Sequence, residues 1–233
     1  MTGGARETAA RVLEVLFPGR CLACGAWMLG EPDASVPVCG SCRVGLVPLT
    51  GPRCRVCGMP LLVEDERCTR CREAEYSFAS CLPVFAYAGA VKDLVIAFKS
   101  GGRRRIAGLF STWLADLLAE RHPGVPVVPV PPRPSWRGPD AVELVTRELS
   151  GRHGVRVLHL LRRLSGPAQK SLSYAERLEN LGGRIRVKQG AAVSGHLVVL
   201  DDVFTTGATV DACSRALLGA GASRVSAVTL AID

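Results

Sequence analysis

Eight of the ten cysteines in this 233-residue chain form four Cys-x-x-Cys pairs, Cys21/Cys24, Cys39/Cys42, Cys54/Cys57 and Cys68/Cys71, all within the first third. Each pair presents two thiolates on one side of a tight knuckle, and two knuckles complete a closed tetrahedral zinc site. Residues 21–71 are rich in Gly and Pro and poor in large apolar side chains, so metal must supply much of their folding energy. Gly25 and Gly58 follow their knuckles, where a turn with φ > 0 calls for glycine. Two structural zinc ions on all eight cysteines are expected. Disulfides compete on spacing alone, but a cytoplasmic chain keeps its thiols reduced. Joining the first knuckle to the second and the third to the fourth is preferred over crossed pairing; spacing admits both. Cys81 and Cys213 stand apart and are expected to be buried, inert thiols.

With 48% hydrophobic residues, the chain can build an ordinary domain beside the small metal module. The expected division is 1–80, an N-terminal helix and the zinc module, and 81–233. Residues 5–17 are amphipathic, with Ala9, Val12, Leu13, Leu16 and Phe17 on one side, and are expected to dock on the zinc module. No apolar run approaches the roughly 18 to 20 residues that span a bilayer, and no signal-peptide pattern opens the chain, so a cytoplasmic location is expected. Residues 1–81 balance nine Lys/Arg against nine Asp/Glu, whereas residues 82–233 carry twenty against twelve, the whole net charge of +8. Such a field attracts phosphates of any kind.

Past residue 81 the pattern alternates strand and helix, which implies a parallel sheet. Leu82–Ala88 and Val125–Val130 read as strands, Val91–Phe98, Ile106–Arg121 and Asp140–Leu149 as helices, Val155–Leu161 and Arg184–Val187 as weaker strands, and Arg224–Ile232 as the last strand. Lys99, Arg103, Arg104 and Arg105 read as a basic loop around Gly101-Gly102, suited to a phosphate or nucleic-acid backbone. Residues 161–187 form a polar insertion that could close over a ligand as a flap. His122, His153, His159 and His196 lack metal-site spacing and are assigned structural roles.

The segment Leu197–Thr209 carries the chemistry. Four apolar residues suit a buried parallel strand, Asp201 and Asp202 follow, and Thr205, Thr206, Gly207, Ala208 and Thr209 lead into a helix that ends near Gly219. Helix-entering N–H groups and threonine hydroxyls favour a phosphate, and a carboxylate pair can accept hydrogen bonds from vicinal sugar hydroxyls. Together they match a ribose 5-phosphate. A surface turn in which Asp202 and Thr205 cap the helix is the competing reading, and it accounts for only one carboxylate.

This segment resembles the PRPP motif of type I phosphoribosyltransferases. The whole chain resembles the ComF family: a double zinc ribbon followed by a phosphoribosyltransferase-like domain. The matching features are the cysteine pairs; Phe98-Lys99 before a glycine-containing loop; Val128-Pro129-Val130-Pro131 with Arg133 and Arg137-Gly138; the run Arg163, Gln169, Leu172, Arg177, Asn180; and Asp201–Thr209. The resemblance implies a role in natural transformation, with single-stranded DNA handled on the cytoplasmic side beside a helicase-like partner. Where the family usually carries Arg-Gly-Phe-Asn-Gln, this chain has Arg137-Gly138-Pro139-Asp140-Ala141, which lacks a base-stacking aromatic and a base-reading amide. Where hypoxanthine-guanine enzymes place a purine-contacting aspartate, it has Thr205, which cannot serve as a general base near neutral pH. Two classes of function stay open. One is a binding module for single-stranded DNA or PRPP. The other is an active phosphoribosyltransferase with an unidentified acceptor, in which Asp201 and Asp202 orient the ribose, Arg133 and Arg137 meet the pyrophosphate, and Mg²⁺ accompanies PRPP.

Overall fold

A computed structural model of the chain describes residues 19–28, 38–63, 66–101, 104–132, 140–164 and 184–233. The amphipathic stretch 5–17, Arg103, Arg133, Arg137 and the flap candidate over 165–183 lie outside the described residues. Four strands, β1 (Cys81–Ala86), β2 (Val127–Pro129), β5 (Gly195–Phe204) and β6 (Ala222–Ile232), form a wholly parallel sheet in the order β1-β6-β5-β2. The last strand in sequence thus lies inside the sheet, and from Val225 to Ile232 it is buried throughout, as a parallel strand covered on both faces must be.

Period-two alternation divides the core into two layers. Val198 and Leu200 face helices α3 (Gly89–Gly101), α4 (Arg104–Arg121) and α5 (Ala141–His153) through Leu94, Phe98, Phe110, Leu114 and Leu149. Leu197 and Val199 face α6 (Ala208–Gly219) through Val210, Cys213 and Leu217. The cysteine-rich region contributes two short helices, α1 (Gly40–Val44) and α2 (Thr69–Glu73), and it is part of this core. Cys54, Cys57 and Cys71 are buried with Phe78, Cys81 and Phe204, while Cys21, Val38 and Leu46 join the layer of α3 and α4. The expected parallel α/β sheet with an N-terminal cysteine module is therefore present.

Several local expectations are corrected. The basic stretch 99–105 is not a single loop, because α3 runs on through Gly101 and α4 begins at Arg104. Phe98 and Ile106, both fully buried, pull the helix ends inward and leave little chain between them. Val155–Leu161 makes only one bridge to the main sheet, Val157 to Val127. Strands β3 (Leu161–Arg163) and β4 (Ile185–Val187) pair with each other instead, antiparallel, in a separate two-stranded ladder. Among the described residues, no helix is long and apolar enough to cross a membrane.

The two knuckle glycines offer a matched comparison. Gly25 and Gly58 have φ of 75° and 74°. A Cβ at Gly25 would meet open space, whereas one at Gly58 would overlap Pro83 and lie 2.7 Å from the Cys81 carbonyl oxygen. Both alanine variants carry about 1–2 kcal/mol of left-handed strain, and overpacking adds about 1–3 kcal/mol at Gly58 alone. Denaturant titration is expected to show Gly58→Ala the less stable by that margin; equal midpoints would refute the close packing of ribbon on sheet.

Candidate functional site

The eight paired cysteines gather into two groups, Cys21/Cys24/Cys39/Cys42 and Cys54/Cys57/Cys68/Cys71, the ligand atoms of each lying within 4.8 Å of one another. Sequential pairing of the knuckles is thereby selected over the crossed scheme. Four sulfurs about 2.3 Å from one zinc ion stand about 3.8 Å apart along the edges of the tetrahedron. Cys24 and Cys39 have Sγ atoms 3.8 Å apart, and Cys57 and Cys68 3.6 Å apart, far beyond the roughly 2.05 Å of a disulfide. Burial pushes the Cys42 and Cys71 thiols up. Cys21 and Cys54 are held at about 6 and about 7, since backbone N–H groups outweigh burial, which alone would raise them. Both groups fit structural zinc and leave no open coordination position for chemistry. Cys81 and Cys213 are fully buried thiols pushed well up by burial, as expected for packing residues.

The second centre lies where β2 ends and β5 runs on beside β6 alone, through Asp201 and Asp202 to Phe204. In sequence β2 is followed by α5, which packs on one face, and β5 by α6, which packs on the other, the arrangement that places ligands at this end of open α/β sheets. Alternation sends Asp201 and Asp202 to opposite faces at this edge. Asp202 turns to the layer of α3, where its Oδ2 meets Lys99 Nζ at 2.8 Å, and its Oδ1 accepts the N–H of Val203 at 2.6 Å. Asp201 Oδ1 accepts the N–H of Asp202 at 2.8 Å. Burial, followed by the neighbouring Asp202 carboxylate, pushes Asp201 up to about 7. Asp140 adds a third carboxyl, raised by burial, and caps α5 by accepting the N–H of Val142 at 2.9 Å. Lys99, expected as part of a nucleic-acid arm, is thus the counter-charge of the carboxylate pair. Arg105 is exposed in the first turn of α4.

Thr205, Thr206 and Gly207 form the bend into α6. Neither Asp202 nor Thr205 caps that helix: Gly207 occupies the cap position at φ 78° with no side-chain bond. The Thr206 hydroxyl accepts the N–H of Ala208 at 3.3 Å, which leaves its own proton for another acceptor. Gly207 is required for a reason absent from its sequence neighbourhood. A Cβ there would lie 2.6 Å from Phe204 Cζ and 2.8 Å from Tyr76 Cε1. Tyr76 and Arg70, which touch the loop from the second cysteine cluster, were not legible as site residues; their contacts depend on how the cluster docks. A cleft of about 230 Å³ lies beside the carboxylates, lined by Pro129, Val130, Pro131, Pro132, Asp140, Glu143, His159, Leu161 and Lys188, and it meets the site through Asp140.

The double zinc ribbon domain family matches residues 12–72. A competence protein ComFC of Bacillus subtilis is 30% identical over 88% of this chain and 87% of its own. A competence protein ComFC of Streptococcus pneumoniae is 26% identical over 72% of this chain and 81% of its own. A DNA utilization protein YhgH of Escherichia coli is 31% identical over 74% of this chain and 80% of its own.

Two outcomes are expected. Elemental analysis of protein purified without added metal gives about two zinc per chain, with the paired thiols unreactive until a chelator unfolds the ribbon; one zinc or none, with free thiols, would contradict the assignment. The second concerns Asp201. A carboxyl whose folded pKa is raised contributes stability that is full below about pH 4 and is lost as pH rises toward 7. Asp201→Asn cannot ionise yet keeps an acceptor for the Asp202 N–H. It is expected to exceed the parent by about 1–2 kcal/mol at pH 8, discounted for screening, or about 2–8 °C in Tm, with little gain at pH 4. A loss of stability at pH 8 would show that the charge is accommodated.

Proposed function

The chain belongs to the ComF family, and on that premise we propose that it handles DNA during uptake, its sheet domain holding single-stranded DNA or a phosphoribosyl ligand such as PRPP or ribose 5-phosphate. The observation that carries the reading is the placing by β5 of two carboxylates near its C-terminal end, two residues before a small-residue loop that enters α6. Ligands of open α/β sheets bind at such an edge, and helix-entering N–H groups attract a phosphate. Asp202 and Asp201 would take vicinal ribose hydroxyls. Burial and the Asp202 carboxylate push Asp201 up, which favours a protonated carboxyl that would donate where the other accepts. Thr205 to Thr209 would hold the 5-phosphate, Arg133 and Arg137 would meet a diphosphate, and Mg²⁺ bound with PRPP would neutralise part of its charge. Lys99 is expected to exchange Asp202 for an incoming phosphate as hydroxyls replace it on the carboxylate.

The charge excess of residues 82–233 supports a nucleic-acid partner, with Lys99, Arg103, Arg104 and Arg105 as its contacts. A cytoplasmic site of action beside a helicase-like uptake partner completes the reading. The second reading, a working transferase, is favoured by the Asp201 proton. Pyrophosphate release from PRPP across a nucleobase panel discriminates the two: turnover with one acceptor supports the transferase.

The DNA part is tested by salt dependence. Phosphate-dominated binding weakens steeply and linearly in log salt, by about 0.7 per contact on a single strand. Changing Arg103, Arg104 and Arg105 to Ala together is expected to flatten that slope by about two units, with no change in sequence preference. An unchanged slope would assign DNA to another surface, and absence of binding at low salt would remove the DNA reading.

A further inference from the structure

The loop that enters α6 is held from outside the sheet. Arg70, in α2 beside the Cys71 ligand, donates from Nη1 to the carbonyl oxygen of Thr205 and from Nη2 to that of Asp233 at 3.2 Å. Tyr76 donates its hydroxyl to the carbonyl of Thr206 at 2.9 Å. The N–H of Ser77 donates to Asp211 Oδ1 at 2.6 Å, a carboxylate only 5% exposed in the first turn of α6. The Tyr76 ring stacks on Phe78 with centroids 4.8 Å apart, meets Phe204 at a steep angle, and fills the space a side chain at position 207 would need. Residues 70–78 therefore grip both the bend and the helix it starts.

A trans peptide carries its C=O and N–H in opposite directions. Carbonyls of Thr205 and Thr206 drawn toward the ribbon turn the N–H groups of Thr206 and Gly207 away from it, in the orientation an anion at the loop requires. Free rotation of these two peptides would cost the site its preorganised donors. Among the described residues the first cysteine cluster has no such connection: its buried Cys21 and its partly buried Cys39 and Cys42 pack with the layer of α3 and α4 on the opposite face.

We propose that Arg70 and Tyr76 are positioning residues for the anion loop, so that ligand affinity at Thr205–Thr209 depends on the second four-cysteine cluster and not on the first. This rests on the reading of the loop as a sugar-phosphate site. It makes the second ribbon a control point: events that disturb the Cys68/Cys71 knuckle, such as thiol oxidation or zinc loss, would loosen the loop before the sheet itself is affected.

The test uses the full-length chain with Tyr76→Phe, Arg70→Met, Arg70→Lys and, as a control in the first ribbon, Arg20→Met, which loses an arginine lying 4.0 Å over the Trp27 ring. Calorimetry with ribose 5-phosphate is paired with hydrogen exchange of the 204–209 backbone, and zinc content is checked for each variant. With two zinc retained, Tyr76→Phe is expected to bind about three- to tenfold more weakly, the value of one hydrogen bond, and to exchange faster at 206–208. Arg70→Met is expected to lose more than Arg70→Lys, which keeps the charge, and Arg20→Met is expected to match the parent. Parental affinity and exchange in Tyr76→Phe would overturn the proposal, as would an equal loss in Arg20→Met. If the parent itself fails to bind ribose 5-phosphate, the sugar-phosphate reading falls. Exchange then decides the bracing alone: faster exchange in Tyr76→Phe upholds it, and unchanged exchange overturns it.

Discussion

A strand buried on both faces can carry charged side chains only toward its end, and β5 meets that constraint past Leu200, where β2 stops and β6 alone continues beside it. Leu197, Val198, Val199 and Leu200 are each within 2% of complete burial between β6 and β2. The next two residues are aspartates, and alternation sends them to opposite layers. One finds Lys99 at the end of α3; the other stays beside Asp202 under conditions that resist its ionisation. Packing alone would place a neutral side chain at position 201. A raised carboxyl beside a second carboxylate, at the end where ligands of this sheet class bind, is the feature on which the proposed sugar-phosphate site rests.

The cysteine clusters solve a different problem. Their stretch of chain has too few large apolar residues to fold on its own, and sulfur–sulfur spacings of 3.6 and 3.8 Å match the edges of a zinc tetrahedron. Once folded, the second cluster supplies surface to the sheet domain. Cys54, Cys57 and Cys71 sit in the same core as Phe204 and Cys213, and Gly58 lets its knuckle close on Pro83. The second cysteine cluster and the bend at Thr205–Gly207 are thereby joined through one interface.

Much of this was legible in the residues. The strand–acid–loop–helix run, the knuckles and the buried single cysteines follow from local patterns, and local patterns survive folding. Contacts between distant segments do not show in this way. Lys99 looked like part of a basic loop because Gly101-Gly102 suggests a break; the helix instead runs through Lys99 to Gly101 and sets the lysine against Asp202. Arg70 and Tyr76 carry no local mark of a site, since only the docking of the ribbon sets them against Thr205 and Thr206. The sulfur pairing was undetermined because both schemes have the same spacing. Val155–Leu161 misled because its apolar composition fits a sheet strand, while only Val157 bridges to Val127.

The proposed sugar-phosphate site is the bend from β5 into α6. A crystal structure of the zinc-loaded chain with PRPP and Mg²⁺ tests it most directly. The account predicts the 5-phosphate on the N–H groups of the Thr205–Thr209 loop, ribose hydroxyls on Asp201 and Asp202, and Lys99 turned from Asp202 toward phosphate oxygen. Ligand density elsewhere on the sheet domain, with the Lys99–Asp202 pair intact and the loop bare at saturating PRPP, would contradict it.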